Sequence, residues 1–179
     1  MEFVKFSKIP RLNRRCVITE KIDGTNAQIA ITGGGEIFCG SRNRWLSLDS
    51  DNYGFAKWCS ENKEELLKLG GGRHFGEWWG QGIQRRYGMD KKVFSLFNTA
   101  RWNDSNKPEC CSVVPILYEG DFTSIDIANT LHDLSTGGSV AAQGFNNPEG
   151  IIIHHSAANS MFKVTIEGDE SHKGDPRES

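Results

Sequence analysis

Apolar and polar residues alternate in short bursts along most of this chain, and only two stretches carry the longer rhythm of a helix. Gln28-Ile29-Ala30-Ile31-Thr32 alternates, Gly33-Gly34-Gly35 interrupts, and Glu36-Ile37-Phe38-Cys39 follows. Alternation, turn and renewed alternation predict a β-hairpin inside an extended segment over 17–39. Short strands are also predicted at 93–97, 113–118, 150–154 and 161–166, which are rich in β-branched and aromatic residues and bounded by turn formers. The best helix covers 53–69, where Phe55, Trp58, Cys59, Leu66 and Leu69 fall near one face and Gly70-Gly71-Gly72 stops it. A second is predicted over 124–135. Thr123 and Asp126 make a capping-box-like start, Ile127, Ala128, Leu131 and Leu134 share a face, and Gly137-Gly138 ends it. With few helices between strands, parallel winding is disfavoured. The expected class is α+β with largely antiparallel sheets and a few flanking helices.

Composition narrows this picture. The chain has 179 residues, 37% of them hydrophobic and 25% charged, which suits one folded domain, expected over 1–166. From 167 to 179 it is polar, and this tail is expected to be loosely ordered. No apolar run approaches the ~20 residues of a membrane helix. The N-terminus shows no apolar signal region, so a cytoplasmic setting is expected. The five cysteines form no C-x-x-C pair, which fits reduced thiols and argues against a zinc site. A net charge of −2 excludes a globally basic binder but leaves room for a local basic groove. Lys5, Lys8, Arg11, Arg14 and Arg15 crowd the first fifteen residues, whereas the tail is acidic. Solvated charge is the ordinary explanation of both runs. His154-His155 is a poor ligand pair, because adjacent strand residues face opposite sides.

The most informative stretch is Thr19-Glu20-Lys21-Ile22-Asp23-Gly24-Thr25-Asn26. It places a lysine at the end of a predicted strand, before a glycine-containing turn. A surface lysine in a polar turn is the plain reading of K-x-D-G alone; the alternative is a nucleophilic lysine, which needs cationic or desolvating surroundings to act. Further pieces follow in order. Cys39-Gly40-Ser41-Arg42 presents an arginine, and His74-Phe75-Gly76-Glu77 presents a carboxylate after a glycine. Val93 to Phe97 ends a strand on an aromatic. Glu149-Gly150-Ile151-Ile152-Ile153 brings a carboxylate into an apolar strand, and Met161-Phe162-Lys163-Val164 puts a lysine on another.

This ordered set resembles the covalent nucleotidyltransferase superfamily of ATP- or NAD-dependent ligases and mRNA capping enzymes. It is most similar to the nick-sealing RNA ligases known from phages, in which T-E-K-x-x-G-T-N surrounds the nucleophile. The resemblance spans roughly residues 3–166, and six weak motifs in order make a strong joint signal. It implies a nucleotidyltransferase (ATP-grasp-like) domain, with ATP as AMP donor and Mg²⁺ or Mn²⁺ as the metal. It implies a lysyl-AMP intermediate at Lys21, transfer of AMP to a 5′-phosphate end, and attack by a 3′-hydroxyl. RNA ends, or a nicked duplex containing RNA, are the implied partners, and a monomer is expected.

By the same resemblance, Glu20 is an adenine-side residue or an ion-pair partner, and Gly24 completes the nucleotide turn. Arg42 contacts the ribose or the 5′-phosphate, as a planar guanidinium suits; Arg44 competes for that role. Glu77 accepts from the ribose hydroxyls, and Phe97 stacks on adenine or is plain core. Glu149 supports the metal with help from Asp23 through water. Asn26 helps with the nucleic-acid 5′-phosphate, and Lys163 touches the α-phosphate. Trp78-Trp79 is expected to pack around the nucleotide pocket. Arg85-Arg86 and Lys91-Lys92 either extend a phosphate-binding surface or are solvated. The chain departs from the usual K-x-K, since Met161 and Thr165 flank Lys163. Lys163 suffices alone, or Lys173 substitutes, or phosphate handling is weakened. Many members carry a further C-terminal domain, whereas here only a short polar segment follows Ile166. Capping-type guanylyltransferase, DNA ligase and a catalytically impaired binding module are the alternatives.

Overall fold

Two sheets share one strand-rich body in a computed structural model that describes residues 1–168. The first sheet has the order β7-β1-β8-β9 and the second β3-β2-β4-β5-β6. β1 (Arg15–Lys21), β7 (Ile116–Asp121), β8 (Gly150–His155) and β9 (Ser160–Thr165) are antiparallel throughout. In the second sheet β2 (Thr25–Ile31), β3 (Ile37–Ser41), β4 (Gly72–Gly80) and β5 (Lys92–Leu96) are antiparallel, and β6 (Cys111–Val113) joins β5 in parallel. The expected α+β class holds.

Alternation sets the faces. On β1, Cys16, Ile18 and Glu20 turn inward, and Cys16 and Ile18 pack with Ile151, Ile153 and Leu134 of α3 (Ser124–Gly137). On the second sheet Ile29, Trp78, Phe94 and Leu96 pack on α1 (Phe55–Glu61) and α2 (Lys63–Leu67) through Phe55, Cys59 and Leu66. The predicted hairpin is β2–β3, closed by the Thr32 amide on Glu36 O at 3.0 Å. The predicted cap of α3 also forms, with Thr123 Oγ1 accepting from the Asp126 amide at 3.1 Å.

Three features differ from the pattern-based expectation. The helix over 53–69 is broken at Asn62, whose side-chain amide donates to Trp58 O at 2.9 Å and competes with the backbone there. The strand over 113–118 is split. Pro115 lacks the amide a ladder needs, and the chain changes sheets between β6 and β7 at Val114-Pro115. β4, at the centre of the second sheet, was not predicted as a strand. Its first residue, Gly72, belongs to the glycine run read as a helix stop, and its buried second half does not alternate. Among the described residues no helix is long and apolar enough to cross a membrane. Of the predicted loose tail, residues 169–179 lie outside the described residues.

Candidate active site

A cleft of about 990 Å³ is lined by β1, β8 and β9 from the first sheet and by β2, β3 and β4 from the second. Lys21, Asn26, Arg42, Glu77, Phe97 and Lys163 all line it. Residues from five separated motifs therefore meet in one place.

Lys21 ends β1, where the inward run of Cys16, Ile18 and Glu20 leaves Val17, Thr19 and Lys21 facing the cleft. Its ammonium is ion-paired with Glu149, and both side chains are largely buried. The other oxygen of that carboxylate, Oε2, is buried without a hydrogen-bond partner among the described residues. Lys21 stands opposite Gly150, which stands opposite Thr165. A Cβ on Gly150 would lie 2.2 Å from Val164 O, so the E-G glycine is what lets β8 and β9 close here. One pleat away Thr19, Ile152 and Lys163 form the next row, on the same face. Thr165, one of the two residues that flank Lys163 at the K-x-K spacing, donates its hydroxyl to Glu167 O at 2.9 Å. Lys173 lies outside the described residues.

The K-x-D-G turn is fitted against β4. Gly24 N donates to Glu77 Oε1 at 3.2 Å, and Asn26 Nδ2 donates to Oε2 at 2.9 Å. A Cβ on Gly24 would lie 2.6 Å from Trp78 O, so only glycine permits this approach. Burial pushes the Glu77 carboxyl up to about 7, against the opposing pull of Asn26 and Lys21.

Several expected contributors sit elsewhere. Glu20 lines the cleft through its backbone, but its carboxylate turns to the opposite face and is 1% exposed. It accepts from Ser139 Oγ at 2.6 Å, Val140 N at 2.9 Å and Ala141 N at 2.8 Å. An adenine-side role for that carboxylate does not fit this orientation. The Asp23 carboxylate accepts from Arg85 Nε at 3.1 Å, and Arg85 also donates to Asn147 O and Oδ1 at 3.0 and 2.9 Å. Asp23 and Gly24 stand behind the cleft wall as fixtures. Arg85 is thereby a brace, and Lys92 is tied to Tyr53 O at 2.7 Å. Among the described residues no group of three or more His, Cys, Asp or Glu gathers to hold a metal. The buried, partnerless Oε2 of Glu149 fits a hard cation that takes one carboxylate and completes its shell with water and phosphate oxygens.

The two arginines differ in their partners. Arg44 donates to Ser50 O and Oγ and to Asp51 O, which fixes a loop, while Arg42 lines the cleft. Phe97 is 40% exposed and lies in the cleft, so the core reading fails. Trp78 enters the core beside Phe55, away from the cleft, whereas Trp79 underlies it against Tyr87. His154 faces the cleft and His155 is buried, as alternation predicts. Phe75, Arg73 and Arg101 also line the cleft and were not singled out beforehand. Once β4 is recognised, two-residue spacing from Glu77 points to Phe75 and Arg73.

The comparisons with known proteins bear on the fold and the family. Naegleria gruberi RNA ligase mutants solved with ATP and Mn superpose with TM-scores of 0.66 and 0.65, each at 19% identity. They cover 91% and 88% of this chain and 53% and 51% of theirs. Another mutant of that ligase, with AMP and Mn, gives a TM-score of 0.64 at 17% identity over 90% of this chain and 53% of its own. The fold is shared, and the chain spans about half the length of these structures. No curated protein sequence matches. The family model described as RNA ligase matches residues 14–165, and the chain belongs to that family.

Proposed function

We propose that this chain joins RNA ends with ATP, through a lysyl-AMP intermediate at Lys21. The observation that carries the reading is the position of the Lys21 amine. It ends a strand inside the cleft, paired with Glu149, with Glu77, Arg42, Phe97 and Lys163 lining the same space. The ATP or AMP and Mn bound by the Naegleria ligase structures support the same nucleotide and a divalent metal.

In the first step the Lys21 nitrogen forms a bond to the α-phosphorus of ATP. The α–β phosphoanhydride breaks and pyrophosphate leaves. The attacking nitrogen must shed a proton, and the Glu149 carboxylate is its immediate acceptor. Lys163, one pleat away on the same face, offsets charge growing on the phosphoryl oxygens. Glu77 accepts from the ribose and Phe97 offers a face to the adenine. A divalent cation at Glu149 supplies further phosphate neutralisation when bound. In the second step a 5′-phosphate oxygen attacks the phosphoramidate, AMP moves to the RNA end and the lysine is regenerated. Arg42 and Asn26 hold that phosphate. In the third a 3′-hydroxyl attacks the 5′-phosphorus, the strand is sealed and AMP departs.

The test is incubation with α-labelled ATP and Mg²⁺, followed by denaturation. Label should stay on the protein and be absent from Lys21→Ala. A nick with RNA on the 3′-hydroxyl side should seal faster than an all-DNA nick; equal rates would remove the RNA preference. Labelling by GTP in place of ATP would favour a capping-type enzyme.

A further inference from the structure

The solvent face of the second sheet continues outward from Glu77 in cross-strand rows. Glu77 stands beside Asn26, then Phe75 beside Gln28 and Gly40, then Arg73 beside Ala30 and Phe38. Directly paired residues share a face, so all of these rows look the same way as Glu77. Trp45 lies on that face too. Its ring packs where a Cβ on Gly40 would be, with Trp45 Cε3 at 3.1 Å from that point. Phe38 and Trp45 have ring centroids 6.0 Å apart, and the Arg73 guanidinium sits over the Trp45 ring at 5.6 Å. Phe38, Trp45 and Phe75 are 47%, 49% and 52% exposed. Three large aromatic rings with solvent-facing surfaces around an arginine are an unusual investment for a sheet face with nothing packed on it.

The patch is braced to the cleft. Gln28 accepts from Arg73 Nη1 at 3.2 Å and donates to Ser41 O at 3.3 Å, the carbonyl just before Arg42. Arg73, Gln28 and Phe75 line both the cleft and the inner edge of the patch. From Glu77 to Arg73 the platform runs about 13 Å along β4. Neither outer row contains an acid.

We propose that this platform, built by Phe38, Trp45, Arg73 and Phe75, binds single-stranded RNA leading away from the end held in the cleft. The inference deepens the ligase reading and rests on it for the location of that end. The chemistry is that of single-strand recognition. Every base has a face that can stack on an exposed ring, and arginine stacks and pairs with phosphate in one side chain. Continuity with the nucleotide cleft and positive charge favour RNA over a protein partner as the occupant.

The test measures direct binding of a 5′-phosphorylated single-stranded RNA oligonucleotide, labelled at its 3′ end, by fluorescence anisotropy. Trp45→Ala should lose roughly fivefold or more in affinity, and the Phe38→Ala/Trp45→Ala double variant more still. Trp45→Phe should keep most of the affinity, and Arg73→Ala should flatten the salt dependence. Lysine labelling by ATP should be unchanged in the Trp45 and Phe38 variants, since neither residue lines the cleft. Thermal unfolding checks the fold; if Trp45→Ala unfolds, Phe38→Ala and Trp45→Leu carry the same test. Affinities within about twofold of wild type, or no binding by the wild type, overturn the proposal and leave the patch to a protein partner. Loss of lysine labelling in the wild type strikes the ligase reading alone.

Discussion

The first sheet lines the cleft with Lys21 and Lys163 and brings Glu149 to the lysine, whereas the second lines it with Asn26, Glu77, Phe75 and Phe97. On the proposed reading the first wall offers Lys21 and Lys163 to the phosphates, and the second, which also carries Arg42 and Arg73, offers a carboxylate and rings to the nucleoside. The cleft-facing residues of β1 stand on a strand whose opposite face is clamped. Glu20 holds the loop at 139–141, and Cys16 and Ile18 sit in the core. The grip of the second wall is half exposed and continues outward onto open sheet. On the proposed reading Lys21 and Glu149, both largely buried, do the chemistry on the more enclosed side, as preorganised transition-state stabilisation requires, and recognition lies on the more accessible one.

If that division holds, substitutions on the two walls should separate. The largest effect is expected at Glu149→Ala, which should slow lysine labelling by about 10²–10³-fold. A labelling time course measures this, and a rate within tenfold of wild type would move Glu149 out of the chemistry. Next is Glu20→Ala, which strands three donors in a buried site. It should cost about 3 kcal/mol or more in a denaturant titration. A loss below about 1 kcal/mol would contradict the clamp.

Glu77 belongs to the second wall but is itself buried, and pH exposes the cost. Its carboxyl is raised from 4.5 to about 7, mainly by burial. The folded state therefore keeps a proton that the unfolded chain gives up between those values. The associated stability is fully present below pH 4.5 and is lost as pH rises through 7. Glu77→Gln removes this titration, so wild type should lose about 2–3 kcal/mol relative to the variant between about pH 4 and pH 8. A pH-independent difference would contradict the burial. The smallest effect is expected for Phe97→Ala. It should weaken ATP use roughly tenfold through lost stacking, with a stability change under about 1 kcal/mol, because the ring is 40% exposed. A large stability loss would return Phe97 to the core.

Much of the candidate site was legible because short motifs with a glycine or a charge recur in a fixed order along the chain. Lys21, Arg42, Glu77, Phe97 and Lys163 were named through the family resemblance that their ordered motifs carry, and the structure brings them to one cleft. The hairpin and α3 were legible from alternation and capping. β4 was hidden, since it starts in the glycine run read as a helix stop and its buried second half does not alternate, and with it went Phe75 and Arg73. Pro115 marked a change of sheet that one-dimensional periodicity cannot express. The direction of the Glu20 carboxylate was readable as well. The rule that separates His154 from His155 also puts Glu20 and Lys21 on opposite faces of β1.

The most direct measurement is mass spectrometry of the protein after ATP and Mg²⁺, with the modified peptide sequenced. The account predicts an adenylyl group on the Lys21 side chain, absent when ATP is omitted and absent from Lys21→Ala. An adduct on any other residue, or none on wild-type protein that binds ATP, would contradict it.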